Sequence, residues 1–271
     1  MKDVHSPLTA SLRLLGLAGW VLLWAPILIL LRALNRPHDV IAISGLIYRG
    51  LAKIVGIRIE TVGEPCSTRP VLFVANHCSY LDIVALGAKL DASFIAKKEV
   101  AGWPGIGPMA RIAGTVFVER RARHSRTQRD LMSTLLGLGK NSLILFPEGT
   151  SSNGQGVLPF KSSLFSMVEG ELRNLPVQPV SVSYTRLDGM PLGRGWRSHY
   201  AWYGDMELAP HLWMALGLGR VTVTLVFHPP VTLAEWGSRK ALAEHCEKQV
   251  RRGVVAANCG RVVDFAPAIA S

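Results

Sequence analysis

A histidine and an aspartate five positions apart, His77 and Asp82, are the residues of this sequence best placed to do chemistry. The apolar run 70–75 before them predicts a buried strand, and the apolar run 83–86 after them predicts the start of a helix. A turn between a strand and a helix presents side chains on a rigid scaffold. A carboxylate beside an imidazole fixes the tautomer of the ring and stabilises the imidazolium that forms when the ring takes a proton. The pair therefore predicts a general base.

Polar residues also follow two other apolar runs of the chain. Arg120 comes after the run 115–118, and Glu148 and Thr150 come after the run 142–146. Ligands of open α/β sheets bind at the carboxyl ends of strands, so one edge of the predicted sheet would gather these side chains. Each residue also has an ordinary structural interpretation: a satisfied core histidine, an arginine on a solvated helix face, or a glutamate in a turn.

Other catalytic motifs are missing from the sequence. It contains neither G-x-S-x-G nor H-E-x-x-H, and its eight histidines are scattered, so we predict no metal site. The glycine spacing of a P-loop occurs at 149–154, but Gln155 stands where the lysine is required. Cys78 adjoins His77, yet adjacent side chains diverge, so we do not expect a Cys–His pair. We read the four cysteines as reduced thiols.

Beyond residue 56, short apolar runs alternate with helical patterns. This alternation predicts an α/β fold with a single mixed sheet of about seven strands flanked by helices. We divide the chain into an N-terminal helical membrane motif at 1–56, one domain at 57–260 and a tail at 261–271. The strands are predicted at 57–62, 71–75, 92–96, 115–118, 142–146, 177–184 and 221–227, and the helices at 83–90, 126–139, 162–172 and 233–257.

The N-terminal motif contains two different helical patterns. An uncharged apolar stretch from Leu14 to Leu31, between Arg13 and Arg32, reaches the lower length limit for spanning a bilayer. No small-residue cleavage site follows it, which favours a retained anchor over a signal peptide, with a buried core helix as the alternative. The range 40–57 has the pattern of an amphipathic helix. The pair could span the membrane or lie in one leaflet as a hairpin, and the sequence leaves both open.

Basic residues dominate the charge of the chain, with 30 Lys and Arg against 19 Asp and Glu and a formal charge of +11. This balance suits an anionic membrane or an anionic substrate. No nucleic-acid motif accompanies it, so we predict no nucleic-acid partner. Basic residues are more numerous after the apolar stretch than before it, which places the rest of the chain on the cytoplasmic face of the inner membrane. Those that follow are Arg32, Arg36, Arg49, Lys53 and Arg58.

Four short blocks in this order resemble those of the glycerophospholipid acyltransferase family. The first, N-H-x4-D, is matched by Asn76, His77 and Asp82, and the second, G-x-x-F-[IV]-x-R, by Gly114, Phe117, Val118 and Arg120. The third, F-P-E-G-T-x-S, is matched by Phe146, Pro147, Glu148, Gly149, Thr150 and Ser152. The fourth, an apolar strand start around a proline, is matched by Pro179 and Val180. The resemblance covers roughly residues 50 to 230, and the N-terminal helices also resemble the membrane-binding motif of the family.

The resemblance implies a membrane-associated O-acyltransferase that moves a fatty acyl group from a thioester to the hydroxyl of a lysolipid. His77 would take the proton of that hydroxyl and Asp82 would orient the ring, so the enzyme needs no nucleophile of its own. The implied partners are membrane lipids and acyl-CoA or acyl carrier protein as co-substrate, with no other cofactor. The residues implied to bind the acceptor head group are Arg120, Glu148, Gly149 and Thr150, with Lys98 as a further candidate.

Ser151 keeps the identity of the acceptor open. Many family members that acylate lysophosphatidic acid carry a basic residue at this position of the third block, and here it is serine. A lyso-ornithine lipid, which has no phosphomonoester, therefore becomes an alternative, while Arg120 and the basic charge favour lysophosphatidic acid. We place lysophosphatidic acid first because it is the commoner substrate of the family. A non-catalytic lipid-binding protein of the same fold is the alternative from another class.

Overall fold

The computed structural model describes residues 4–103, 106–118 and 141–261. Two helices begin the chain: α1 (Pro7–Ala33) and α2 (Pro37–Val55). Ser6 caps α1 by accepting the N–H of Thr9, and a proline occupies the first turn of each helix, where its missing N–H costs nothing. Helix α2 ends at Gly56, whose φ of 79° is left-handed. The tail residues 262–271 lie outside the described residues, and the division into 1–56 and 57–260 stays a prediction.

One mixed sheet of eight strands forms the centre of the molecule, as the predicted fold class requires. The strands are β1 (Ile57–Val62), β2 (Leu72–Ala75), β3 (Ala92–Lys97), β4 (Val116–Val118), β5 (Ser142–Leu145), β6 (Val177–Leu187), β7 (Met190–Pro191) and β8 (Val221–Phe227). Their order is β1-β8-β6-β2-β5-β3-β4, and β7 pairs with β6. The strands from β6 to β4 run parallel, and β8 is antiparallel to β6. All seven predicted strands are present, and within the described residues the two-residue β7 is the one strand that the sequence does not predict.

Helices cover both faces of the sheet. They are α3 (Leu81–Gly87), α4 (Ile106–Ile112), α5 (Arg194–Arg197), α6 (Leu208–Gly217), α7 (Leu233–Trp236) and α8 (Arg239–Asn258). One long helix was predicted at 233–257, but Gly237, with φ of 69°, separates α7 from α8. The predicted helix at 162–172 is instead two 3₁₀ segments, Ser162–Val168 and Gly170–Asn174. The predicted helix at 126–139 lies outside the described residues.

The sheet separates two apolar cores, and most of the helices pack on one of them. Side chains of β6 that point one way, such as Val182 and Tyr184, pack with α1, α2, α3 and α6. The opposite face packs against α7, α8 and the 3₁₀ segments through residues such as Leu143 and Leu242. This two-sided burial makes the central strands apolar on both faces, as parallel strands require.

Helices α1 and α2 pack antiparallel through a small core of their own. Leu28, Val40 and Ile47 are buried there, and the indole N–H of Trp20 donates to the carbonyl of Ile47 at 3.2 Å. The α2 glycine at position 50 makes this approach close, because a Cβ there would lie 2.1 Å from the Trp20 ring. The outer face of α1 is unpaired and apolar: Leu8, Leu15 and Leu22 are 70–75% exposed.

Candidate active site

The turn after β2 carries His77, and Asn76 fixes that turn to the neighbouring strand. The Asn76 side-chain amide donates to the carbonyl of Val182 at 2.9 Å and its oxygen accepts the Val182 N–H at 2.8 Å. These two hydrogen bonds continue the pairing of β2 with β6 one residue beyond Ala75, the last residue of β2. Asn76 is 3% exposed, so the bonds are made away from water and hold the backbone that delivers His77.

The structure places His77 and Asp82 in direct contact. The Nδ1 of His77 lies 2.9 Å from Oδ2 of Asp82. Because a carboxylate only accepts, Nδ1 carries the proton, and the lone pair of the neutral ring is on Nε2. The Asp82 side chain is fully buried, whereas that of His77 is 21% exposed. The ring is therefore held from inside the protein and presents its basic nitrogen on the outer side.

Further donors hold the Asp82 carboxylate. Its Oδ2 also accepts the backbone N–H groups of Cys78 at 2.7 Å and Ser79 at 2.9 Å, and its Oδ1 accepts the hydroxyl of Tyr184 at 2.8 Å. Burial, together with the nearby Asp82 carboxylate, raises the pKa of Tyr184 well above its ordinary value, so the phenol remains a donor. Helix α3 begins at Leu81, whose N–H donates to the Ser79 hydroxyl at 3.3 Å. The Asp82 carboxylate accepts instead from the turn before the helix and from Tyr184.

The third block fixes the backbone and the ring of His77. Glu148 accepts the His77 N–H through Oε1 at 3.0 Å, and the Ser152 N–H donates to the His77 carbonyl at 2.8 Å. The Phe146 ring stacks on the imidazole, with centroids 4.1 Å apart and an interplanar angle of 19°. Phe146, Glu148 and Ser152, which follow β5, therefore form a clamp that fixes the backbone and the ring of His77. The sequence does not indicate this role.

Burial sets the protonation of Glu148. The residue is 1% exposed, and its Oε2 makes no hydrogen bond of normal geometry within the described residues. Burial raises the pKa of Glu148 to about 8, opposed by the backbone N–H groups of His77 and Leu158. The protonated form needs no counter-ion, and it still accepts from His77. Burial therefore favours the protonated, neutral side chain at neutral pH.

We expect Glu148→Gln to remove a pH dependence of stability while keeping the His77 clamp. The pKa of Glu148 is about 8 in the folded state and 4.5 in its ordinary state, so between these pH values the folded state binds the proton more strongly than the unfolded state. The free energy of unfolding therefore falls as the pH rises from 4.5 to about 8. The fall amounts to at most about 5 kcal/mol, and glutamine, which mimics the neutral acid, should abolish it. Denaturant unfolding at a series of pH values measures this difference, with exposed Glu244→Gln as the control. Equal pH slopes in wild type and Glu148→Gln would contradict it.

The other residues of the third block belong to the same turn, and their exposure ranges from buried Pro147 and Ser152 to exposed Thr150. Gly149 has φ of 69°, a left-handed value that favours glycine, and its N–H donates to the carbonyl of Phe146 at 3.0 Å. Thr150 is exposed directly after it. The carbonyl of buried Pro147 accepts the N–H of Lys161 at 2.9 Å. Gly149 and Thr150 are thus within the turn that clamps His77, and their predicted contact with a head group stays a prediction.

Lys98 follows the carboxyl end of β3, and the described part of the second block leads into the neighbouring strand β4 and forms it. Lys98 is exposed in the 3₁₀ turn that directly follows β3. Gly114, with φ of 85°, turns the chain into β4, which contains Phe117. Arg120 lies outside the described residues, two positions after β4 ends. Pro179 is buried in β6, in register with Val74.

Cys78 is a structural residue of the site. Its thiol is buried beside Asp82, with Sγ 3.6 Å from Oδ1, and its carbonyl accepts the N–H of Trp202 at 2.7 Å. Burial raises the pKa of the thiol well above its ordinary value, and the Asp82 carboxylate raises it further. The thiol is therefore a poor nucleophile, in agreement with the expectation that Cys78 and His77 form no catalytic pair.

Comparison with known proteins identifies the class to which this arrangement belongs. The Acyltransferase family profile matches residues 58–183. The chain is 42% identical to the lyso-ornithine lipid O-acyltransferase of Brucella abortus over 80% of this chain and 83% of that protein. It is 35% identical to the 1-acyl-sn-glycerol-3-phosphate acyltransferase of Neisseria meningitidis over 75% and 77% of the two chains. The chain therefore belongs to the acyltransferase family and is an acyltransferase.

A solved structure shares the fold. The crystal structure of the 1-acyl-sn-glycerophosphate acyltransferase PlsC from Thermotoga maritima superposes with a TM-score of 0.66 and covers 97% of this chain and all of that one. The two sequences are 22% identical, so this likeness concerns the fold. The match extends over the N-terminal helices as well as the sheet.

Proposed function

We propose that the protein transfers a fatty acyl group from an acyl thioester to the hydroxyl of a lysolipid, with His77 as the general base. The observation that carries the proposal is the hydrogen bond from His77 Nδ1 to the buried Asp82 carboxylate, which leaves Nε2 as the basic nitrogen on the exposed side. General-base catalysis of this kind contributes about 10²–10⁴ in rate. The donor would be the thioester of coenzyme A or of acyl carrier protein.

The reaction balances with the residues present. Nε2 takes the proton of the acceptor hydroxyl as its oxygen bonds to the thioester carbonyl carbon. Asp82, held by its hydrogen bonds with two backbone N–H groups and the Tyr184 hydroxyl, stabilises the imidazolium that results. Collapse of the tetrahedral adduct breaks the C–S bond, and the imidazolium returns the proton to the leaving thiolate. The products are the acylated lipid and a free thiol, and His77 is neutral again.

We propose a lyso-ornithine lipid as the acceptor. Four relatives named lyso-ornithine lipid O-acyltransferase are 34–42% identical to this chain, and two bacterial relatives named for 1-acyl-sn-glycerol-3-phosphate are 34–35% identical. The three highest of these identities, 36–42%, all belong to the lyso-ornithine group. Ser151 supports the same choice, because it supplies no cation for a phosphomonoester. This order reverses that of the sequence analysis. Lysophosphatidic acid remains the second candidate on the strength of the basic charge of the chain.

A competition assay decides between the two acceptors. Purified protein is offered equal amounts of lyso-ornithine lipid and lysophosphatidic acid, with acyl-CoA in one reaction and acyl carrier protein thioester in the other. We expect ornithine lipid to exceed phosphatidic acid by about tenfold, the effect of one well-placed polar contact. Mass spectrometry of the products measures the ratio. If phosphatidic acid is the main product, the acceptor is lysophosphatidic acid and the proposal of a lyso-ornithine lipid is wrong. The proposed role of His77 as the general base is unaffected by that result.

We propose that α1 lies along one leaflet rather than across the bilayer. By length and composition α1 could span a membrane, and only 6% of its apolar window is buried. However, both ends of this helix of about 40 Å contact the catalytic domain. Ser6 N–H donates to the carbonyl of Gly217 at 2.8 Å, and the Arg32 guanidinium approaches Gly114, 3.9 Å from where a Cβ would lie. A crossing helix would leave one end on the far side. The basic flank favours the cytoplasmic leaflet.

Labelling from one side of a vesicle tests this placement. Val4→Cys puts a thiol at an exposed position just before α1, and native Cys259 marks the catalytic domain. In protein bound to sealed vesicles, a membrane-impermeant maleimide added outside should modify both thiols. A crossing by α1 predicts that Val4→Cys reacts only after the vesicles are opened, while Cys259 reacts at once.

A further inference from the structure

A cavity of about 640 Å³ lies beneath the N-terminal end of α1. It forms where the start of α1, the start of β1, the end of β6 and the loop before β8 meet, and none of its lining residues belongs to the four motif blocks. Arginines dominate its wall: Arg13, Arg58, Arg186 and Arg220, with the hydroxyl residues Ser6 and Thr9 beside them. The reaction at His77 uses none of these side chains.

The acidic groups at this cavity are too few to balance its arginines. Glu60 pairs with Arg186 and lies 3.6 Å from Arg58. Asp188 accepts the backbone N–H of Arg220 at 2.7 Å, so part of its acceptor capacity is already used. Four arginines against these two carboxylates leave an excess of two positive charges in one concave site. An anionic ligand would offset the repulsion among the guanidinium groups.

Arg13 is positioned by the protein. Its Nη1 donates to the carbonyls of Leu216 at 3.0 Å and Leu218 at 2.7 Å. Gly56 provides the space, because a Cβ at that position would lie 2.3 Å from Nη2 of Arg13. A guanidinium held in this way has lost its conformational freedom before any ligand arrives, which lowers the cost of binding. The other three arginines close the cavity around it.

The chemistry of this wall matches a phosphate group. Guanidinium groups form bidentate, charge-assisted bonds with phosphate oxygens, and the Ser6 and Thr9 hydroxyls can add donors. The exposed leucines of α1 begin at the same end, with Leu8 70% exposed, so the cavity lies at the level of the head groups when α1 rests on a bilayer. We propose that this cavity binds a phosphate group, borne by an anionic glycerophospholipid or free, and that the bound phosphate does not react.

Paired binding measurements on the full chain test the site. Arg58→Gln with Arg220→Gln removes two cavity charges, and Lys240→Gln with Lys248→Gln removes two exposed charges of α8 on the opposite face of the sheet. Inorganic phosphate is titrated by calorimetry. Flotation is measured with phosphatidylcholine vesicles, with and without phosphatidylglycerol. We expect the cavity variant to bind at least about tenfold more weakly than wild type, and the α8 variant to stay within about twofold.

The two measurements distinguish the two sources of the phosphate. If the cavity variant binds inorganic phosphate more weakly than wild type, a free anion is sufficient as the ligand. If the cavity variant instead floats less well, and only with vesicles that contain phosphatidylglycerol, the ligand is a lipid head group. Equal weakening in both double variants would reduce the effect to overall charge and overturn the site, as would the lack of binding to either probe by the wild type. Should the cavity double variant unfold by circular dichroism, Arg220→Gln alone, at an exposed side chain, gives the same comparison.

Discussion

Replacement of His77 by alanine is expected to lower the rate of acyl transfer by at least about 10³-fold, to the background of the assay. The imidazole is the one basic group that the structure holds at the end of β2 with its free nitrogen outward, and alanine leaves the acceptor hydroxyl without a proton acceptor. The fold should survive, because the backbone bonds of residue 77 with Glu148 and Ser152 do not involve the ring. Initial rates with acyl thioester and lysolipid measure the loss.

Two controls separate chemistry from folding in that experiment. His199→Ala removes a half-buried imidazole that packs on Trp196, outside the motif blocks, and should keep the rate within about twofold. Vesicle flotation should be the same for wild type and His77→Ala, since α1 and α2 are unchanged. A folded, membrane-bound His77→Ala protein with more than a tenth of the wild-type rate would exclude His77 as the base.

Asp82→Asn is expected to lower the rate by about 10³–10⁴-fold while leaving the KM for the lysolipid nearly unchanged. An asparagine NH₂ facing His77 would donate to Nδ1 and move the ring proton to Nε2, which removes the base. The opposite amide orientation restores the acceptor for Nδ1 but turns the NH₂ group toward the Tyr184 hydroxyl and the Cys78 thiol. Either orientation loses part of the set of bonds that the carboxylate makes, so the free energy of unfolding should also fall, by about 1–3 kcal/mol.

The split between kcat and KM makes the Asp82 experiment specific. Exposed Asp205→Asn is the matched control and should change neither quantity. A loss explained by partial unfolding would reduce the amount of active enzyme, and active-site titration would detect it. If Asp82→Asn keeps more than a tenth of the wild-type kcat, then Asp82 only stabilises the turn that contains Cys78 and Ser79. The orientation of the His77 ring must in that case come from Phe146.

The sequence predicts the positions of the site residues better than their contacts. His77, Asp82 and Glu148 fall at strand ends because apolar runs precede them, and strand ends are readable from local pattern. Tyr184 is 102 positions from Asp82 along the chain, and its hydroxyl meets the carboxylate only because β6 lies beside β2. Alternation along β6 indicates which face Tyr184 shares with Val182, but no local signal indicates its partner.

The errors in helix prediction have local causes. Helix α6 was missed because Pro210 and His211 interrupt its apolar pattern, although Pro210 falls in the first turn, where it is tolerated. The range 162–174 has helical spacing, but the chain breaks at Glu169 and the second 3₁₀ segment begins at Gly170, with φ of 71°. The role of Glu148 could not be read from sequence, because a buried carboxyl that accepts a backbone N–H has the same local pattern as a ligand-binding glutamate.

The attachment of both ends of α1 to one domain has a consequence for the membrane itself. With α1 along one leaflet, as proposed, the enzyme would take a lysolipid from that leaflet and return a double-chain lipid to it. Each turnover therefore enlarges the lateral area of that monolayer by about one acyl chain, without a matching change opposite. Continued synthesis would bend the bilayer unless lipid crosses to the other side, so a membrane that grows by this reaction depends on a separate means of moving lipid between its leaflets.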